Sequence, residues 1–159
     1  MSFNPLQFKD LIERTLKGLR LYSPSAVALL LGTSAQESQF GTYLRQLGNG
    51  PALGVYQCEP DAEKDVWHNC MAYRTDLRAR VYRLTGATGP NPDRMEYDLV
   101  YATVICRIDY YREPEPLPKP YDMTGLARYW KKYWNTAAGD GTVEQFIKNY
   151  KKYLEGIWI

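Results

Sequence analysis

The stretch SPSAVALLLGTSAQESQF, residues 23–40, leaves this chain few ways to fold. Ser23 followed by Pro24 reads as a helix start. A serine side chain satisfies a free backbone amide there, and proline is tolerated where no intrahelical N–H is needed. The middle, AVALLL, is apolar on every side of a helix, so the helix must be wrapped by protein. SAVALLLG is too short to span a bilayer. The pattern predicts a central buried helix running toward Glu37, a carboxylate placed where the core gives out.

Other helices gather around it. Phe8, Leu11, Ile12, Leu16 and Leu19 recur at helical spacing and predict an amphipathic helix over about 5–20. From Gly41 to Gly54 four glycines, a proline and an Asn-Gly pair predict a loop with room for a short hairpin. Helical signals return in DAEKDVWHNCMAY and TDLRARVYRL. The segment from Asp93 to Tyr111 is rich in β-branched residues, but its length without turn residues predicts one buried helix. EPEPLPKP, with four prolines in eight residues, is an extended surface connector. A helix over about Met123–Trp134 follows. The last begins at the capping box Thr142–Gln145 and carries Val143, Phe146, Ile147, Tyr150 and Leu154 on one face.

The 159 residues suit one domain, and an apolar share of 45% can fill its core. A net charge of +2 makes no global electrostatic case for nucleic acid or a membrane surface. Fourteen tyrosines and four tryptophans are many for this length; such rings serve for stacking on sugars or for bridging core and surface.

Elimination narrows the chemistry. His68 is the only histidine, and its neighbours, DVWHNCM, hold no nucleophile motif. Cys58, Cys70 and Cys106 are an odd, sparse set, which argues against a disulfide framework. Cys58, His68 and Cys70 match no zinc spacing, so no metal and no other cofactor is expected. GATGPNP lacks the lysine and the preceding strand of a phosphate-cradling loop. Glu37 remains, with the glutamine-bearing GVYQCEP after the loop. A carboxylate at the end of an apolar helix is placed to be half-desolvated, and desolvation keeps its proton on at neutral pH. That is what a general acid for a glycosidic oxygen needs.

Three motifs in order carry a resemblance. Glu37-Ser38 with Phe40, then Gly54, Gln57 and Pro60 in GVYQCEP, then Trp134-Asn135 in YWNTAAG, resemble the signature of the lytic transglycosylase and goose-type lysozyme superfamily. The resemblance covers about residues 24–155, with residues 1–23 as an N-terminal helical extension. It implies one mainly α, lysozyme-like domain of the α+β kind with a small or vestigial β-hairpin. It also implies peptidoglycan glycan strands as substrate and cleavage of the β-1,4 bond between N-acetylmuramic acid and N-acetylglucosamine.

By the same resemblance Glu37 is the acid. Ser38 orients the sugar or the carboxylate, Gln57 and Asn135 hydrogen-bond substrate amides and hydroxyls, and Tyr56 and Trp134 stack on sugar faces. The family usually reads Ala-Tyr-Asn where this chain has Tyr133-Trp134-Asn135. The hydroxyl that helps hold the acid therefore falls to Tyr133, Tyr110 or Tyr111, or is absent. Glu59 and Asp61 are alternative second carboxylates for an inverting hydrolase.

No signal peptide is read at the N-terminus. This leads to the expectation of a bacteriophage protein made in the host cytoplasm and carried in the virion, beside other virion proteins, without membrane insertion. Two rivals stand. One is an inactive lysozyme-like module that binds peptidoglycan or scaffolds a particle. The other is a helical nucleic-acid binder resting on RYWKKYWN and KNYKKY.

Overall fold

Helix α2 forms where the apolar run predicts it, over Pro24–Ser38, with Ser23 Oγ accepting from the Ala26 amide at 3.0 Å. The computed structural model describes residues 2–157. Every residue of α2 from Ala26 to Ala35 is buried, as a helix without a polar face requires. Helix α1, Pro5–Leu19, lays Phe8, Ile12, Leu16 and Leu19 inward and is capped by Asn4. It packs on α2, so the N-terminal segment is part of the core.

After an irregular loop come α3, Pro60–Asn69, a single 3-10 turn at Met71–Tyr73, and α4, Thr75–Thr85. The expected single helix from Asp93 to Tyr111 is two: α5, Arg94–Tyr97, and α6, Leu99–Tyr111. Asp98 divides them. Its backbone is extended (φ −114°, ψ 99°), and its side chain accepts from the Tyr101 amide at 3.0 Å to start α6 afresh. An aspartate in the interior of a helical pattern has that alternative.

Helix α6 is a partition between two apolar clusters. Ala102, Cys106 and Tyr110, four apart, face the cluster around α2. Tyr101, Val104, Ile105 and Ile108 face the cluster that holds Val66, Trp67, Met71, Leu77 and Val81. Burial on both sides explains why its β-branched sequence is nonetheless helical. The proline-rich connector runs extended from α6 to α7, Met123–Trp130, and Tyr129 ties it down by donating to the Glu115 carbonyl at 2.9 Å. The helix then widens into a π turn at Lys131–Asn135. Helix α8, Val143–Leu154, carries both hydrogen bonds of the Thr142–Gln145 box and buries Phe146, Tyr150 and Leu154 against α2.

The domain is mainly helical and single, with no sheet among the described residues. In place of a strand pair, the loop after α2 makes two isolated antiparallel bridges, Arg45 with Leu53 and Leu53 with Cys58. The three cysteines are free and buried. Among the described residues no helix is long and apolar enough to cross a membrane.

Gly54 is the tight point of this loop. Its φ is +82°, and a Cβ there would lie 2.1 Å from the Met95 carbonyl oxygen, a backbone atom that cannot step aside. Gly86, after α4, has φ +72° but open space around it. Gly54→Ala is expected to destabilise by on the order of 2–4 kcal/mol, combining overpacking with a disfavoured φ. Gly86→Ala should cost about 1 kcal/mol, from φ alone. Urea denaturation of the two variants measures the difference.

Candidate active site

Glu37 lies in the last turn of α2, and the chain beyond it is bent sharply. Gln39, Phe40 and Gly41 all take positive φ (49°, 57° and 78°). Two anchors hold that bend. Phe40 is fully buried, edge-on to Phe8 at 5.4 Å and stacked on Tyr153 at 5.9 Å. Ser38 Oγ donates to the Ser34 carbonyl at 3.1 Å and accepts from the Gly41 amide at 2.8 Å. Ser38 is thus a buried brace of the helix end and is not placed to orient a sugar.

The Glu37 carboxyl opens onto a cavity of about 720 Å³ between α2, the glycine-rich loop, the end of α6 and the π turn. That volume is in the usual range for a ligand site. Gln57, Trp134 and Asn135 line it with Glu37, so the three motifs, far apart in the chain, meet at one cavity. Strained backbone gathers there too. Six non-glycine residues take positive φ among those described; Gln39 and Phe40 follow Glu37, and Gln57 and Thr136 line the cavity. Such conformations persist only where the surroundings over-determine them.

Each motif is fixed by its neighbours. Gln57 closes a tight turn: its amide and its side-chain Nε2 both donate to the Gly54 carbonyl at 3.0 Å. Trp134 Nε1 donates to the Tyr56 carbonyl at 3.1 Å, pinning the π turn to that loop, while its ring packs on Tyr110 at 5.4 Å. Asn135 Oδ1 accepts from Lys131 Nζ at 2.6 Å, and the same ammonium donates to the Gly139 carbonyl at 3.0 Å.

Two expected site residues are corrected. Tyr56 is buried in the core, its hydroxyl paired with Thr103 Oγ1 at 2.9 Å, because its position in the turn sends it inward beside Phe8. Tyr133 packs on Tyr129 at 4.6 Å under the Lys132 ammonium and does not line the cavity. Of the alternative carboxylates, Glu59 lines the cavity and is exposed; Asp61 is exposed in the first turn of α3 and does not line it.

The partner of the acid is neither Tyr133, Tyr110 nor Tyr111. Trp130 Nε1 on α7 donates to Glu37 Oε1 at 2.8 Å, and Tyr110 gives its hydroxyl to Thr33 instead, at 2.8 Å. Trp130 is fully buried and packs on Phe146 at 5.4 Å. A buried indole needs an acceptor, and that need is the one signal in the sequence that points to it. Tyr43 was also missed: it lines the cavity and donates to the Glu37 carbonyl at 2.8 Å. Asp109 of α6 lines the cavity as well.

Desolvation raises the Glu37 carboxyl from the ordinary 4.5 to about 7, outweighing the indole bond, which favours the ionised form. The lining carries Glu37, Glu59, Asp109 and Asp140 and no Lys, Arg or His. The site therefore holds a protonated carboxyl near neutral pH, with amide and indole groups around it. Comparison with known proteins finds no matching family model, no matching curated protein and no matching solved structure.

A raised carboxyl pKa has a sign in stability. The fold holds the Glu37 proton more tightly than the unfolded chain does. This stabilisation is complete below about 4.5 and is lost as pH rises through about 7. Glu37→Gln, neutral at any pH, should match wild type at about pH 4 and exceed it at about pH 8 by on the order of 2–3 kcal/mol. Thermal melts of both proteins across that range measure it.

Proposed function

We propose that this chain is a peptidoglycan-cleaving glycosidase of the lytic transglycosylase and goose-type lysozyme kind, with Glu37 as its general acid. One observation carries the reading: a carboxyl that keeps its proton to about pH 7 faces the same cavity as Gln57, Trp134 and Asn135. In this reading the fold is lysozyme-like, and the two isolated bridges after α2 are what remains of its hairpin.

The chemistry follows from the side chains. Glu37 gives its proton to the glycosidic oxygen between N-acetylmuramic acid and N-acetylglucosamine as the C1–O bond breaks. Trp130, bonded to Oε1, stabilises the carboxylate that this leaves and keeps it oriented. Asn135 and Gln57 offer neutral amides to acetamido and hydroxyl groups, which does not disturb the acid by an added charge. The indole of Trp134 and the phenol of Tyr43 supply flat faces for sugar rings.

The nucleic-acid reading loses its support. In RYWKKYWN and KNYKKY the rings of Tyr129, Trp130 and Tyr150 are buried core and form no stacking platform. The cavity lining carries Glu59, Asp109 and Asp140 and no lysine, arginine or histidine, which disfavours phosphate. An inactive module would not require a desolvated carboxyl held by an indole.

Zymography on peptidoglycan separates the readings. Wild type is expected to clear the gel, and Glu37→Gln to lose activity by about 10²–10⁴-fold while remaining folded. Equal clearing by Glu37→Gln would remove the acid assignment, and no clearing by the folded wild type would favour the inactive module.

A further inference from the structure

We infer that Lys131 is a positioning residue of the site: its ammonium holds the side-chain amide of Asn135 by the oxygen, so that Asn135 meets the glycan with its N–H groups. The inference rests on the glycosidase reading and adds to it which end of one substrate-binding group faces the sugar, and what fixes it.

The direction of the amide follows from what touches it. Lys131 and Asn135 are four apart in the π turn, which closes with the Thr136 amide donating to the Lys131 carbonyl at 2.8 Å. An ammonium carries three N–H donors and no acceptor. The Asn135 atom 2.6 Å from Nζ is therefore the carbonyl oxygen, Oδ1. The ordinary ambiguity between the two ends of an asparagine amide does not arise. Nδ2 has no partner among the described residues, and Asn135 is half-buried in the cavity lining. The donor end of the amide is the end left for a ligand.

The loop that follows is built around this arrangement. The same ammonium donates to the Gly139 carbonyl at 3.0 Å, which folds residues 136–141 back over the turn. A Cβ at Gly139 would lie 2.5 Å from both Nδ2 and Oδ1 of Asn135. One at Gly141 would lie 2.6 Å from the Trp130 ring and 3.1 Å from Asn135 Nδ2. Two glycines thus let the backbone close on the amide, while the lysine holds its oxygen. Trp130 is the indole that donates to Glu37, so one loop packs against both the holder of the acid and the substrate amide. Thr136 begins that loop at φ 66° and ψ 173°, a conformation almost confined to glycine. Such strain persists only where neighbours over-determine it, and Lys131 ties the residue before Thr136 to Gly139 beyond it.

Lys131 does this from outside the cavity. It is not among the lining residues, and it pairs with no carboxylate among the described residues. Both of its partners are neutral oxygens, and hydrogen bonds from a charged donor are the stronger kind. Burial and Trp130 set the proton affinity of Glu37. The lysine therefore orients the amide without moving the acid.

The test uses the full chain and soluble glycan strands of peptidoglycan. Affinity is read in the Glu37→Gln background, and KM and kcat with Glu37 in place. Lys131→Met should weaken binding roughly tenfold and raise KM by the same factor, with the pH profile unmoved. Lys131→Arg, which keeps donors for both oxygens, should recover most of that loss. Asn135→Ala should lose at least as much, and adding Lys131→Met to it should cost nothing more, because the lysine acts through the amide. Asn135→Asp keeps the oxygen that Lys131 holds and replaces the free N–H groups by a second oxygen. It should melt no lower than wild type yet bind roughly tenfold more weakly. A lysine that only stabilised the fold would give additive losses, and Asn135→Asp would bind as wild type does. Either result, or full affinity in a folded Lys131→Met, would overturn the inference. Should Lys131→Met melt well below wild type, Asn135→Asp decides alone, since it keeps the tie. In each of these cases cleavage lost with Glu37→Gln would leave the glycosidase reading standing. A wild type that neither binds nor cleaves would remove both.

Discussion

The hydrogen bond from Trp130 to Glu37 depends on α2 being wrapped on all sides, and the site depends on that bond. A helix buried from Ala26 to Ala35 must be covered by α1, α6, α7 and α8, and the cover does not end abruptly at the last apolar residue. Glu37 is caught in that fringe. Trp130 reaches it because α7 must cross α2 to shield it, and the indole N–H, buried with its ring, has to find an acceptor. Burial therefore both raises the carboxyl's proton affinity and provides the donor that steadies it once ionised.

The same constraint positions the remaining parts. The end of α2 is set by Phe40 in the core and by the Ser38 brace, so the loop beyond is delivered to Gly54 and Gln57 at fixed register. Trp134 then bonds that loop to the π turn, which carries Asn135. Removing any one of these contacts would loosen the cavity before it touched the carboxyl.

Much of this was legible before the structure. The proline-led start of α2, the capping box of α8 and the inward stripe of α1 are local patterns, and local patterns survive in the fold. Glu37, Gln57, Trp134 and Asn135 could be nominated because their motifs, in order, resemble the signature of the lytic transglycosylase and goose-type lysozyme superfamily. What was hidden depended on packing between distant segments. Nothing local says that Tyr56 turns inward to Thr103, or that Tyr110 chooses Thr33 over the acid. Nor does it say that Asp98 interrupts a long helical pattern to recap it. Trp130 looked like an ordinary helix residue because its partner, Glu37, lies on α2, 93 residues away.

Glu37 keeps its proton near neutral pH because the fold has taken it out of water. Carboxyl-carbon NMR of protein labelled at glutamate, with Glu37→Gln to assign the signal, measures this directly. The expected midpoint is about 7. A midpoint near the ordinary 4.5 would mean that Glu37 is a solvated helix-end charge, and would contradict its role as an acid.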